Sequence, residues 1–296
     1  DKDALGFHVP GMFDKVINLN NCYLQKDPSN AIRLAVKQFA DKHKLTYFDI
    51  RSQKGLLRNL MIRTSSTNDL MVLVQFFEAD KKSIHLVMEH LKTTFPEITS
   101  LLYIINQKAN NTMYDQEVVC YSGKDHIVEE MDGLYFKIGA ISFFQTNSEQ
   151  AKVLYRKTKE LAQIKPNELV YDLYTGTGTI AQYVAQSAAK VVGIDSVEEG
   201  IKAACENAKR NGITNCTFYT GDMKAIFTDD FILKNGTPDV IITDPPRDGM
   251  HKQVVEQLLK IGAKRIVYVS CNSATQARDL ALLAEKYEVT HIQPID

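Results

Sequence analysis

Residues 169–184 read LVYDLYTGTGTIAQYV, and this stretch decides the fold of the second half of the chain. An apolar run typical of a buried strand leads into a glycine-rich turn and then into the start of a helix. Gly176, Gly178 and Ala181 satisfy the pattern G-x-G-x-x-[GA], and Asp195 follows 19 residues after Gly176. The stretch therefore predicts the first strand–loop–helix unit of a doubly wound α/β domain with a ligand at its loop.

Outward from this stretch, strands and helices alternate regularly. We predict helices over 148–163, 179–187, 197–211, 250–261 and 273–286, and strands over 168–173, 190–195, 215–220, 238–243, 264–270 and 287–293. Strands that alternate with helices of about ten or more residues form a mostly parallel sheet covered on both faces. We expect residues 141–296 to form one Rossmann-like α/β domain.

The first 140 residues differ in character, since strand-like runs are separated there by turns. We predict hairpins of 56–65 with 70–79 and of 126–131 with 134–139, a helix over 81–94 and a strand over 100–107. The second hairpin is joined by Asp132-Gly133, a favoured turn dipeptide. We interpret residues 1–140 as a smaller α+β domain that precedes the α/β domain.

Composition excludes several classes of protein. The 296 residues carry 35 Lys and Arg against 36 Asp and Glu, which excludes a grossly basic protein that coats nucleic acid. No run of about 18 apolar residues occurs, so we expect no membrane span. The five cysteines are scattered without a C-x-x-C pair, which favours reduced thiols and a cytoplasmic location.

One concentration of positive charge lies between Lys26 and Arg63. Nine basic residues stand in this segment against three acids. Such a patch can follow the phosphates of RNA or can be an ordinary solvated face, and the sequence leaves both interpretations open. The candidate RNA contacts that we select are Arg51, Lys54, Arg58 and Arg63.

The residue before the glycine loop favours one class of ligand. Taken alone, the glycine pattern fits NAD, FAD or S-adenosylmethionine. Asp172 lies four residues before Gly176, where a dinucleotide places its pyrophosphate. A carboxylate there repels phosphate but suits the ammonium group of S-adenosylmethionine, and Asp195 would then bind the ribose hydroxyls. We expect S-adenosylmethionine, while a dinucleotide or a purely structural glycine turn stays open.

Two further strands run into polar motifs. Strand 238–243 is followed by Asp244-Pro245-Pro246-Arg247, and strand 264–270 runs into Ser270-Cys271-Asn272. Ligands of open parallel sheets bind beyond the carboxyl ends of the strands, and neighbouring strands lie about 5 Å apart. We expect both motifs to face one ligand, although two prolines after an acid can also make an ordinary rigid turn.

Cys271 is the candidate nucleophile. Ser273 and Gln276 form an S-x-x-Q pattern, which predicts a capping box just after Cys271 and a helix dipole that favours its thiolate. A thiolate beside a methyl donor suggests conjugate addition to uracil. Sulfur attacks C6, C5 takes the methyl group, and a base then removes the C5 proton. The alternative is a buried structural cysteine.

Five segments together resemble the RNA (uracil-5-)-methyltransferase family. They are FFQTN (143–147), DLYTGTGT (172–179), VVGID (191–195), DPPRDG (244–249) and SCNSATQARDL (270–280), which match in order and spacing. GLLRNLMIR (55–63) resembles the RNA-facing central domain of that family. The resemblance implies a class I S-adenosylmethionine-dependent methyltransferase fold.

The resemblance also implies roles for individual residues. Cys271 would be the nucleophile, and Asp244, Arg247 and Gln145 would help to hold a flipped uracil. The expected cofactor-binding residues are Gln145, Tyr174, Gly176, Gly178, Thr179, Asp195, Asp222 and Asp244.

The chain departs from the family pattern at three points. Thr175 stands where the family usually has Cys. Cys22 resembles the fourth ligand of an iron–sulfur cluster that some members carry, but its three partners are not in this sequence, so we expect no metal. The family's general-base Glu follows a segment like HIQPID (291–296), where the sequence stops. We therefore expect a fragment that lacks both ends, the last strand and the base, and that does not complete turnover.

We predict a cytoplasmic, monomeric enzyme that methylates C5 of a uridine in structured RNA through a covalent bond from Cys271 to C6, with 23S ribosomal RNA favoured over tRNA. One alternative is an amino-methyltransferase of nucleic acid, because Asp-Pro-Pro also begins the D-P-P-Y motif of those enzymes. Arg247 stands where their aromatic residue stacks on the base, which counts against this alternative. A second alternative is a non-catalytic RNA-binding module with a methyltransferase fold.

Overall fold

A computed structural model describes residues 3–113 and 115–295 of the chain. The chain divides into two units, one of residues 1–129 and 138–141 and the other of residues 130–137 and 142–296. Within the described residues, no helix is both long enough and apolar enough to cross a membrane.

The first unit contains a four-stranded mixed sheet, a separate hairpin and helices packed on the sheet. Its elements in chain order are β1 (Gly6–Val9), β2 (Met12–Asn18), α1 (Ser29–Lys42), β3 (Leu57–Thr64), β4 (Leu70–Phe76), α2 (Lys81–Thr94), β5 (Ser100–Ile105) and β6 (Val119–Gly123). The sheet order is β3-β4-β5-β6, with β4 and β5 parallel and the two outer pairs antiparallel. Strands β1 and β2 form the separate hairpin.

Helices α1 and α2 cover one face of this sheet. Alternate residues of β4, among them Val72, Val74 and Phe76, are buried in one core with apolar side chains of both helices. Helix α2 has the predicted bounds, and the Asp80 carboxylate caps it by accepting a hydrogen bond from the Lys82 N–H (3.1 Å). The predicted hairpin of β3 and β4 is also confirmed.

A second hairpin continues the chain from the first unit into the other. Its strands are β7 (His126–Met131) and β8 (Leu134–Gly139), and Asp132 and Gly133 at its turn both have positive φ, as the Asp-Gly dipeptide predicts. Met131, Leu134 and Phe136 are buried in the core of the second unit. Residues 130–137, which the sequence analysis assigned to the first domain, therefore pack with the second.

The second unit is a five-stranded parallel sheet with helices on both faces. Its elements are α3 (Ser148–Ala162), β9 (Leu169–Leu173), α4 (Thr179–Ala185), β10 (Lys190–Asp195), α5 (Glu198–Arg210), β11 (Cys216–Thr220), α6 (Met223–Ile226), α7 (Asp229–Asn235), β12 (Val240–Thr243), α8 (Lys252–Ile261), β13 (Arg265–Tyr268) and α9 (Ser273–Leu283). The strand order is β11-β10-β9-β12-β13. The order reverses between β9 and β12, which makes the carboxyl ends of these two strands the topological switch point where such folds bind ligands.

Successive residues of the central strand pack into different cores. Val170 lies in a core with residues of α3 and α4, whereas Tyr171 lies in a core with residues of α7 and α8. Burial on both faces explains why the strands of this half are continuous apolar runs rather than alternating ones.

The structure corrects one predicted element. Residues 287–293, predicted as a strand, are irregular, as is the whole of 284–295. The segment is mostly exposed and has no strand partner among the described residues, and a strand needs a neighbour to pair its backbone hydrogen-bonding groups. Sequence analysis also missed the short helices α6 and α7, each capped at its N-terminus by a side chain, Asp222 and Thr228 respectively.

Candidate functional site

The glycine loop connects β9 to α4 at the switch point. Tyr174, Gly176 and Gly178 all have positive φ, between 55° and 73°. Gly178 is the N-cap of α4, and a Cβ there would lie 2.8 Å from the Ala204 Cβ, so only glycine lets α4 and α5 approach so closely. A Cβ at Gly176 would meet nothing within 4 Å, which leaves the outer side of this loop open to a ligand.

Asp172 is a buried carboxylate with an unsatisfied oxygen beside this loop. Its side chain is 1% exposed, and its Oδ2 accepts hydrogen bonds from the Thr175 hydroxyl (2.5 Å) and the Ala181 N–H (3.0 Å). Its Oδ1 has no partner among the described residues. Burial raises the pKa of Asp172 to about 7, and the nearby charges of Asp244 and Asp195 act in the same direction. A cationic ligand group fits this oxygen, whereas a pyrophosphate would be repelled.

Two further carboxylates end the next strands of the sheet. Asp195 uses one oxygen to accept the Gly176 N–H (2.8 Å) and the other to accept the Val197 N–H (2.8 Å). A carboxylate has about four acceptor positions, so Asp195 keeps capacity for a ligand's hydroxyl groups. Asp222 accepts from the Lys224 N–H (2.9 Å) at the start of α6.

Tyr174 lies among the same acidic side chains. Burial raises the pKa of its phenol to about 12, assisted by the charges of Asp279, Asp222 and Asp195. Thr179, the first residue of α4, is also buried, and its hydroxyl lies 3.1 Å from the Thr177 hydroxyl. The carboxyl edge of the sheet is therefore lined by acidic side chains. Of these, Asp172 is closed to bulk water, and its raised pKa favours the protonated form.

The Asp-Pro-Pro-Arg and Ser-Cys-Asn motifs lie side by side. Strands β12 and β13 are parallel neighbours, and the Val269 N–H continues their pairing by donating to the Thr243 carbonyl (2.9 Å). The Arg247 carbonyl accepts hydrogen bonds from the Asn272 side-chain amide (3.0 Å) and from the Thr275 hydroxyl (3.0 Å). The two turns are thus directly bonded to each other.

Within these turns, Asp244 and Cys271 differ sharply in environment. Burial raises the pKa of Asp244 to about 6, and its N–H donates to the Leu173 carbonyl (3.2 Å) at the end of β9. Cys271 is exposed, as is Arg247. The exposure of Cys271 removes the alternative that it is a buried structural cysteine.

The predicted capping box is wrong. The N-cap of α9 is Asn272, whose side chain accepts from the Ala274 N–H (3.1 Å), and Ser273 is the first helical residue. Gln276 does not reach back to the helix start, because its amide donates to the Tyr268 carbonyl (2.9 Å). Asn competes well with Ser as an N-cap, which explains the shift by one residue. Cys271 still precedes the helix directly.

The sequence did not single out Asp279 of α9, which binds the residue after the DPPRDG segment and the last residue of β13. This carboxylate is 1% exposed and accepts hydrogen bonds from the Met250 N–H (2.7 Å), the Tyr268 hydroxyl (2.8 Å) and the Arg278 guanidinium (2.7 and 2.9 Å). The same guanidinium donates to the Asp248 carbonyl (2.8 Å). The spacing of the residues on α9 could have identified this carboxylate. Asp279 lies four residues before the buried Leu283, so an acid occupies the inward-facing side of the helix.

A glycine fits against this carboxylate. Gly249 has a φ of 75°, and a Cβ there would lie 2.7 Å from Asp279 Oδ2 and 2.6 Å from the Arg278 guanidinium. The last residue of the DPPRDG segment is therefore glycine for both conformational and steric reasons. Gln145 lies half-buried on the irregular segment before α3, in the same unit.

The candidate RNA contacts of the first unit are in different environments. Lys54 is exposed, and Arg51 forms an ion pair with Asp14. Arg63 donates to the Gly139 carbonyl (3.3 Å). Burial lowers the pKa of Arg58, whose guanidinium lies 4.5 Å from the centre of the Phe48 ring and donates to backbone carbonyls of a loop. Arg58 therefore has a structural role in its own unit.

Metal-binding geometry is not found in the part of the chain that the structure describes, where no three His, Cys, Asp or Glu side chains form a suitable group. Cys22 is half-buried, and its backbone N–H donates to the Asn30 side chain (2.8 Å).

Comparison with known proteins assigns the fold of the second unit. Residues 164–292 match the family model described as "Methyltransferase domain". Pyrococcus abyssi tRNA (uracil-54, C5)-methyltransferase, solved with S-adenosyl-L-homocysteine, superposes with a TM-score of 0.79 at 29% identity, covering 95% of this chain and 67% of that one. The predicted fold class is confirmed: the second unit has the class I methyltransferase fold.

Relatives of higher identity carry a general designation. A Bacteroides thetaiotaomicron protein named "Uncharacterized RNA methyltransferase" is 54% identical over 99% of this chain and 65% of its own length. A similarly named protein of Chlorobaculum tepidum is 38% identical over 99% of this chain and 62% of its own length. The chain thus spans somewhat less than two thirds of these curated relatives.

Proposed function

We propose that the chain methylates C5 of a uridine in RNA, with S-adenosylmethionine as the methyl donor. The observation that carries this proposal is the direct bonding of the Asp244–Arg247 turn to the segment that follows Cys271, at the carboxyl ends of two neighbouring strands. This arrangement combines an exposed thiol with a half-buried acid and an exposed guanidinium beside the glycine loop. Relatives named as RNA methyltransferases support RNA as the substrate.

The acidic edge of the sheet fits S-adenosylmethionine. The unpartnered Oδ1 of Asp172 would accept from its ammonium group, and Asp195 would accept from its ribose hydroxyls. Tyr174, Thr179 and the glycines of the loop would form the surrounding wall, with Gln145 and Asp222 as further members of the set. The bound cofactor supplies an electrophilic methyl group.

Cys271 would act as the nucleophile toward the uracil. Its sulfur forms a bond to C6, and the electrons of the C5–C6 double bond move toward O4 and C5, so that C5 becomes nucleophilic. After methylation, a base removes the C5 proton, the double bond re-forms and the sulfur leaves as a thiolate. Asp244 and Arg247 would hold the uracil ring while these bonds change. The base must leave its stack to reach the thiol.

A trapping experiment tests this mechanism. RNA transcripts that contain 5-fluorouridine are incubated with the protein and S-adenosylmethionine, and complexes that survive denaturing electrophoresis are counted. Fluorine at C5 cannot be removed as a proton can, so the sulfur–C6 bond persists. We expect a stable complex with the wild type and none with Cys271→Ala. Cys205→Ala is the matched control, because Cys205 is also exposed but lies on α5.

The same samples separate the alternatives. Transcripts of 23S ribosomal RNA and of tRNA serve as separate substrates, and mass spectrometry of digested RNA identifies the methylated nucleoside. Calorimetry should show that Cys271→Ala still binds S-adenosylmethionine. A methylated amino group, or a stable adduct from Cys271→Ala, would refute the proposal. Cofactor binding with neither a methylated nucleoside nor a 5-fluorouridine adduct would favour the non-catalytic module.

A further inference from the structure

A small cavity of about 340 Å³ opens on the sheet of the first unit. Its floor comes from β3 and β4, and its rim from the segment before α1 and the loop after β5. The side chains used below are Gln25, Asn59, Met61, Leu73, Gln75 and Met113. Among the described residues, every side chain that lines it is uncharged. Its size is near the lower end for sites of small organic ligands, which run from about 300 to 1,000 Å³.

The strand register creates a compact floor. Asn59 lies opposite Gln75, and Met61 lies opposite Leu73, so these four side chains form two adjacent cross-strand pairs on one face of the sheet. The neighbouring residue Val74 points to the other face, where it is buried with the helices. The four paired side chains therefore lie on the face that α1 and α2 do not cover, whereas Leu60 and Ile62 of β3, which also line the cavity, pack against the core under the helices.

Gln75 brings an unsatisfied polar group to this floor. The Asn59 side-chain amide donates to the Gln75 carbonyl oxygen (2.5 Å), while Gln75 Nε2 has no partner among the described residues, although the residue is only 1% exposed. Turning both amides over would only exchange which atom of Gln75 is unsatisfied. A buried amide in this state is stabilised by any ligand that supplies the missing hydrogen bond.

One wall of the cavity is held in place before a ligand arrives. The guanidinium of Arg58 donates to the carbonyls of Asn106 (2.8 Å) and Lys108 (2.6 Å), and the Asn106 side chain donates to the Thr112 carbonyl (3.2 Å). These bonds fix the loop that leads to Met113. Gln25 supplies a third carboxamide to the lining.

We propose that this cavity binds an unpaired nucleobase of the RNA substrate, a proposal that rests on the proposed function insofar as RNA is the substrate. Carboxamides present a donor and an acceptor together, which is how Asn and Gln recognise the edges of bases. Met and Leu side chains contact the faces of a planar ring, and the absence of charge among the lining residues disfavours a phosphate. RNA-binding proteins commonly recognise bases that are splayed out from single strands.

Binding measurements on the whole chain test this proposal. Fluorescence anisotropy follows fluorescein-labelled oligonucleotides of uridine, adenosine or cytidine, eight nucleotides long. We expect one base to be preferred, and Asn59→Ala and Gln75→Met each to weaken binding of that oligonucleotide by about 5- to 150-fold, the range for losing a bidentate base contact. Gln253→Ala, which removes an exposed carboxamide on α8, is the matched control and should change nothing.

Methyl NMR of the wild type provides a second readout that needs no variant. The Met61 and Met113 methyl signals should shift on addition of the preferred oligonucleotide. A shift of the same signals with the free nucleoside, smaller than that with the oligonucleotide, would show that the base enters the cavity without the rest of the strand. If Gln75→Met fails to fold, Asn59→Ala, which changes an exposed residue, and the methyl signals still test whether the cavity binds a base. Unchanged affinities together with unmoved methyl signals would refute the cavity as a base site. Methylation is assayed separately, so loss of the proposed reaction would be seen independently.

Discussion

Replacing Asp279 with alanine should destabilise the second unit because it leaves buried donors without an acceptor. The carboxylate is 1% exposed and accepts from the Met250 N–H, the Tyr268 hydroxyl and Arg278. An unsatisfied buried donor costs about 1–3 kcal/mol, which applies in full to the Met250 N–H, while the hydroxyl of the half-buried Tyr268 would lose its partner at a smaller cost. The Arg278 side chain is 53% exposed, so water replaces much of that ion pair. We expect a loss of roughly 2–4 kcal/mol in the free energy of unfolding.

Urea denaturation of the whole chain, followed by circular dichroism, measures this loss. Asp248→Ala is the control, because Asp248 is exposed in the same turn and its backbone carbonyl, not its side chain, accepts from Arg278. We expect that variant to stay within about 0.5 kcal/mol of the wild type. Asp279→Asn, which keeps one acceptor oxygen, should fall between the two.

The activity of these variants tests what the carboxylate is for. Asp279 connects α9 to the turn that follows Asp244, so Asp279→Asn should trap 5-fluorouridine RNA more slowly than Asp248→Ala under conditions where both are folded. Its affinity for S-adenosylmethionine should change less. An Asp279→Ala variant as stable as the Asp248→Ala control would show that the hydrogen bonds around Asp279 do not hold the two turns.

Three further predictions concern charge. Burial raises the pKa of Asp172 in the folded protein to about 7, so the native state retains a proton that the unfolded chain loses near pH 4. The stability of the wild type therefore falls between about pH 4 and pH 7, and Asp172→Asn should become progressively more stable than the wild type over that range in urea titrations. A difference that does not depend on pH would contradict this. Asp195→Ala should weaken S-adenosylmethionine binding by about 1–3 kcal/mol in calorimetry, and unchanged affinity would remove Asp195 from the cofactor site. Replacing Arg51 and Lys54 together should lower the slope of the logarithm of the RNA-binding constant against the logarithm of the salt concentration by up to about two. Arg58→Ala should instead chiefly lower thermal stability, because the Arg58 guanidinium is bound within its own unit. Equal salt slopes for the double variant and the wild type would leave the patch as a solvated face.

Local sequence was sufficient for much of the fold. The bounds of α2 and the two strands of the 126–139 hairpin were predictable to the residue. An amphipathic repeat, a capping Asp and an Asp-Gly turn are properties of a few neighbouring residues, so no distant contact is needed to interpret them. The alternation of strands and helices likewise predicted a parallel sheet, because parallel strands require crossover connections.

Prediction was weaker wherever one residue depends on a distant partner. The segment 287–293 has the composition of a strand but lacks a neighbour to pair with in the described chain. Helix α9 begins at residue 273 as predicted, but its N-cap is Asn272 and not the Ser273 that the S-x-x-Q pattern indicated. Asn272 and Ser273 are both good capping residues, and the choice between them depends on the surroundings, in which Gln276 binds the Tyr268 carbonyl and not the start of the helix.

By itself the sequence determined which chemical groups end each strand: the Asp172 carboxylate, the glycine loop, the Asp-Pro-Pro-Arg turn and the Cys271 thiol. Only the tertiary structure decided that Asp172 keeps an unpartnered oxygen, that Asp279 closes a hydrogen-bond network around the next turn, and that Gln75 faces Asn59 across two strands. Whether a polar atom is satisfied depends on partners tens of residues away. Burial then sets the energy of any atom left without one, and neither partner nor burial can be obtained from a local pattern.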